Sequence, residues 1–167
     1  ASGGILPALS GTSTLDPYAE IEKVPLQTKD GMKSRGFTVR LEDASADGVG
    51  GQWLRVQDTV SRYSNIGLSD AVTSGFDPGD TIAFSAMVKS ATTSGRVSLY
   101  LYFGGPNATY RPLSNITPAF GPNRLYAEYT VPVGTTAISV GFEIQGGTGM
   151  DASLAQVSLV NLTSLGL

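Results

Sequence analysis

The sequence predicts an all-β domain, a sandwich of two antiparallel sheets. Glycine (21) and proline (9) are abundant and punctuate short runs rich in Val, Ile, Tyr, Phe and Thr. That is the pattern of many short strands joined by turns. Inside those runs apolar residues alternate with polar ones, which gives each strand one apolar face. No long segment carries a helical period, and no internal repeat is present. At 167 residues the chain suffices for one domain with a sizeable core.

Residues 1–31 stand apart. Positions 1–14 are rich in Gly, Ser and Thr around an apolar island at 5–9, and read as a linker or docking segment. Pro17 and Pro25 keep any element between them short. The domain proper is expected over 32–167.

Over 37–41, Phe37, Val39 and Leu41 share one face. A turn over 44–51 leads to 52–57, where Leu54 and Val56 point inward and Trp53, Arg55 and Gln57 outward. A short strand is expected over 63–68, and Asp77-Pro-Gly-Asp80 is a strong turn. Residues 81–89 then bury Ile82, Phe84, Ala86 and Val88. The cleanest alternation lies at 97–103: Val97, Leu99, Leu101 and Phe103 inward, Ser98, Tyr100 and Tyr102 outward. Residues 104–123 read as a long loop around a short strand. The stretch 125–131 buries Tyr129 and Val131 and turns Tyr126 and Glu128 away. Over 137–144, Ile138, Val140, Phe142 and Ile144 face the core, while Glu143 and Gln145 share the other side. A loop at 146–149 precedes a last strand at 154–159. The result is about nine strands, packed through their apolar faces.

Composition narrows the chemistry. The chain is 41 % hydrophobic and 15 % charged, too apolar for a disordered one. Its net charge is −3 and its 11 Lys and Arg form no stripe, so no nucleic-acid partner is expected. No apolar run reaches the length of a membrane span, so no membrane insertion is expected. There is no Cys and no His. Disulfides, thiolate nucleophiles, a Ser-His-Asp triad and His-ligated metals are thereby excluded. No signal peptide opens the chain and Ala1 is not an initiator Met, so the chain is expected to be processed or part of something longer.

Four segments resemble the carbohydrate-binding modules of families 4 and 9 and their jelly-roll relatives. They are Gly50-Gly-Gln-Trp-Leu-Arg-Val56, the hairpin arm from Phe76 through Asp77-Pro-Gly-Asp80 to Lys89, Tyr126-Ala-Glu-Tyr-Thr-Val-Pro132, and the closing Leu154-Ala-Gln-Val-Ser-Leu159. They fall in the family's order across residues 36–160. The resemblance implies a jelly-roll β-sandwich that binds a glycan or polysaccharide without catalysis. It also extends to modules in phage tail and fibre proteins, which implies host-surface attachment and an extracellular or virion-surface location. The family often holds a structural calcium, but Thr38 stands where a Glu ligand would fall and Ala155-Gln156 replaces the acidic pair. No metal and no cofactor is carried over.

Sugar sites combine an aromatic face, on which a pyranose stacks, with planar polar side chains that meet its hydroxyls. The outward sets Trp53, Arg55 and Gln57, Tyr100 and Tyr102, and Glu143 and Gln145 have that chemistry if they share one sheet. The alternative is that loops cover the aromatics, since strands favour large rings for packing. Asn107, Tyr110 and Arg111, in the long loop, are candidates to rim the groove. Three N-glycosylation sequons begin at Asn107, Asn115 and Asn161, as chance allows in so Thr-rich a chain. An enzyme would need two converging carboxylates, and Glu128 and Glu143 are the strand-borne pair to inspect. The competing non-catalytic reading is a virion fibre or decoration protein, joined to a larger polypeptide or virion and assembled as a homo-oligomer, a trimer foremost.

Overall fold

The computed structural model describes residues 36–68, 71–117 and 119–166. The expected linker at 1–31, with its apolar island, lies outside the described residues. The described chain forms nine strands: β1 (Thr38–Asp43), β2 (Gln52–Asp58), β3 (Tyr63–Gly67), β4 (Thr81–Ala91), β5 (Arg96–Gly104), β6 (Thr109–Asn115), β7 (Ala119–Thr130), β8 (Ala137–Gln145) and β9 (Met150–Asn161). A single 3-10 turn over Ser45–Asp47 interrupts the β1–β2 connection.

The strands build two sheets, one ordered β1-β2-β9-β4-β7 and the other β3-β8-β5-β6. Every pairing within them is antiparallel. The alternation sets which face turns inward. Ile82, Phe84, Ala86 and Val88 of β4 are all fully buried, as are Leu99 and Leu101 of β5 and Ile138, Val140 and Phe142 of β8. Together with Val56 and Leu154 they form one core between the sheets. Each large side chain taken fully from water contributes roughly 1.5–3 kcal/mol.

Three expectations change. The long loop at 104–123 holds most of β6 and the start of β7. Pro112 sits within β6, an edge strand, where its missing N–H leaves no central ladder broken. Leu41, expected inside, is 50 % exposed, because β1 is also an edge strand and its end is left uncovered. β9 begins earlier and carries a bulge: Ser85 pairs with Ser158 but Met87 with Ala155, and Gln156 takes the extra position at φ 51°.

Candidate functional site

Strand order and register together place the outward residues of the four-stranded sheet in rows. Tyr63 of β3 lies beside Gln145 of β8, and Gln145 beside Arg96 of β5. The next row runs Asn65, Glu143, Ser98 and Asn115. Then come Gly67, Gly141, Tyr100 and Pro112, and last Ser139, Tyr102 and Tyr110. The intervening residues Val97, Leu99, Leu101, Phe142 and Ile144 face the core, so these rows face out.

Three tyrosines gather on this face. The Tyr110 ring lies 5.2 Å from that of Tyr100, edge to face, and 4.7 Å from that of Tyr102, tilted. Such offsets suit the ring quadrupoles. Tyr110 leans back across the sheet, and its hydroxyl accepts a hydrogen bond from Asn65 Nδ2 at 2.9 Å. Tyr100 lies over Gly141, where a Cβ would stand 2.2 Å from its hydroxyl oxygen. Glycine there is a requirement of space. Tyr100 is consequently buried, Tyr102 half-buried, and Tyr110 46 % exposed.

Between Tyr110 and Tyr63 lies a cavity of about 380 Å3, lined also by Ser64, Asn65, Glu143 and Gln145. Among the described residues Tyr63 is the most exposed large hydrophobic side chain, at 83 %. Gln145 Nε2 donates to Glu143 Oε1 at 2.5 Å, which holds both planar groups in place at its floor. The groove thus has an aromatic ring at either end and hydrogen-bonding groups between them.

Of the expected site residues, Tyr110, Glu143 and Gln145 line this groove and Tyr100 and Tyr102 support Tyr110. The others lie elsewhere. Trp53, Arg55 and Gln57 are on β2, in the other sheet. Trp53 is fully buried, so its ring has no free face for a sugar. It packs with Ala44, Val49, Ala155 and Met87 beneath the β1–β2 connection, and its Nε1 donates to Asp47 Oδ2 at 2.8 Å. Lys89 Nζ lies 4.9 Å from the ring centroid and 2.7 Å from the same Asp47 oxygen. The Lys89 hydrogen bond, then that of Trp53, holds the Asp47 carboxyl below its ordinary range.

Arg55 is already engaged: its Nε and Nη2 donate to the two oxygens of Asp151 at 2.8 and 2.6 Å, and Nη1 donates to Glu42 at 3.1 Å. Hydrogen bonding to Asp151 is the largest cause pushing the guanidinium pKa up. Gln57 Nε2 donates to Asp151 as well, at 3.3 Å. Asn107 sits in the exposed turn after β5, close to Gly134, away from the groove. Arg111 pairs with Leu101 and so points toward the edge between the sheets. There it draws down the Tyr129 phenol pKa, which burial pushes up by more.

The carboxylates needed for glycoside hydrolysis do not converge. Glu143 lies on β8, and Glu128 lies on β7 of the opposite sheet, accepting from the Tyr126 hydroxyl at 3.1 Å. Tyr63 and Asn65 were absent from the expected set; an aromatic and an amide at alternate positions of a short strand were the only signal.

Neither a family model nor a curated protein sequence matches the chain. Solved structures do match. The CBM22-1 xylan-binding domain from Paenibacillus barcinonensis Xyn10C superposes with a TM-score of 0.54 at 14 % identity, over 82 % of this chain and 84 % of that one. The C-terminal family 22 carbohydrate-binding module of Clostridium thermocellum Xyn10B gives 0.54 at 18 % identity, over 90 % and 93 %. The fold is a jelly-roll β-sandwich. The same jelly roll recurs in the enzymatically active domain of bacteriophage CBA120 tailspike protein 4, with a TM-score of 0.51 at 12 % identity, over 74 % of this chain and 17 % of that one. At such identities the jelly roll is what the chains share.

Proposed function

We propose that the protein is a non-catalytic carbohydrate-binding module that works outside the cell, and that it takes a glycan chain into the groove between Tyr63 and Tyr110. The observation that carries this reading is the pair of exposed rings flanking the Asn65, Glu143 and Gln145 side chains. Rings offer a stacking face to the C–H side of a pyranose, and the amides and carboxylate meet its hydroxyls. The jelly-roll neighbours named as carbohydrate-binding modules support it.

Calorimetric titration with the best ligand from a glycan array tests it. Tyr63→Ala and Tyr110→Ala should each weaken binding about tenfold, the loss of one stacking contact. Unchanged affinity in both variants, with fold intact by circular dichroism, sinks the assignment.

A second reading is favoured by the tailspike neighbour: the module belongs to a virion surface and attaches it to a host glycan. It uses the same groove and differs in assembly, expected to be trimeric.

A further inference from the structure

The polar groups of the groove are biased toward hydrogen-bond acceptors. Glu143 presents a carboxylate, whose Oε1 already accepts from Gln145 Nε2. That bond turns one donor of the Gln145 amide away from the groove's contents. Asn65 spends an N–H on the Tyr110 oxygen. Carboxylate and amide oxygens accept, and only amide N–H groups and hydroxyls donate.

Charge has the same bias. Glu143 is the one carboxylate among the groove's described lining residues, and no Lys or Arg lines it. Three arginines lie nearby without lining the groove. Arg62, next to Tyr63, forms an ion pair with Asp58, Nε to Oδ2 at 2.5 Å. Arg96 of β5 pairs directly with Gln145 on the same outward face, beside the groove but not among its lining residues. Arg111 Nη1 donates to the Tyr110 carbonyl at 3.5 Å, outside the groove's lining.

From this we infer that the groove selects neutral glycans, and that Glu143 sets the selection by accepting sugar hydroxyls and repelling carboxylate or sulfate groups. The inference rests on the glycan-binding reading above and names the class of glycan. A hydroxyl can donate to every acceptor in the groove. A uronate or sulfate is acceptor-only and must sit against a like charge, with both groups partly desolvated. Stacking on Tyr63 and Tyr110 does not distinguish the two kinds of sugar. The discrimination therefore resides in Glu143.

The experiment uses an immobilised panel in which neutral oligosaccharides stand beside their uronic-acid and sulfated counterparts. Wild type should bind neutral members at least about tenfold more tightly at low salt, and the gap should narrow as salt screens the repulsion. Glu143→Gln preserves shape and removes the charge, and should shrink the gap to about threefold or less, mainly by gaining on acidic members. Wild type binding acidic members equally or better overturns the inference. So does a Glu143→Gln variant, folded by circular dichroism, whose gap is unchanged. In both cases binding that still depends on Tyr63 leaves the glycan-binding reading standing. Absence of binding to every member, or binding indifferent to Tyr63→Ala and Tyr110→Ala, overturns both.

Discussion

Gly141 is the residue on which the groove's aromatic end depends. Its missing side chain is where Tyr100 lies, with Ile66 O also only 2.6 Å from where a Cβ would be. Gly141→Ala forces Tyr100 outward and displaces Tyr110 with it. Overpacking of this kind costs about 1–3 kcal/mol, measurable by urea denaturation, and glycan affinity should fall with it. Trp53 makes the opposite case. Trp53→Ala should cost about 3–5 kcal/mol yet leave glycan affinity unchanged in the variant that remains folded. Affinity lost in proportion to that of Tyr63→Ala would bring the β2 face back as a binding surface. Both residues show what is legible in a sequence. Alternation put Trp53 on the outward side of β2, correctly, but nothing local tells that residues 44–51 fold back over it. The clean β8 alternation places Glu143 and Gln145 on the outward face, where both line the groove. The place of Tyr63 beside Gln145 follows from β3 pairing with β8, a contact that sequence spacing does not encode.

Among the elements, the turn before β4 is tied down by a buried carboxylate. Asp80 is buried; its Oδ2 accepts from Asn161 Nδ2 at 2.8 Å and from the Asp77 N–H at 2.9 Å. The turn is thereby fixed to the far end of β9. The Asn161 hydrogen bond, then the backbone one, holds the Asp80 carboxyl below its ordinary range. A carboxyl whose folded pKa is depressed stabilises the fold above its unfolded pKa, and the gain is lost as pH falls through the folded value. Thermal stability should therefore drop as pH is taken below about 4, with Asp43 and Asp47, also depressed, contributing on the same limb. Asp80→Asn should flatten that limb; an unchanged acid slope would remove Asp80 from the account. The Asp-Pro-Gly-Asp turn was plain in the sequence because turn chemistry is local. β6 was harder, because Pro112 and a bulge beside Tyr100 break the alternation that identifies strands.

At the scale of the whole molecule, the two sheets separate what the sequence grouped together. The β2 residues and the tyrosine groove occupy opposite outer faces, so one glycan cannot touch both. Assembly is decided by light scattering on the 167-residue chain. A monomer that binds glycan fits a tethered module, and a stable trimer fits the virion reading. In a trimer that keeps the groove open, Tyr63→Ala should weaken glycan binding without changing the mass.

The burial of Trp53 has a practical consequence for any ligand screen. It is the only tryptophan, it is shut beneath Asp47 and Lys89, and a whole sandwich separates it from the groove. Its emission should be that of a ring shielded from water, and a sugar entering between Tyr63 and Tyr110 should leave that emission untouched. Quenching assays that read indole light, a habitual first choice for sugar-binding proteins, would score this one as inert. Tyrosine absorbance, or chemical shifts from the β3 and β8 backbone, would register the same event.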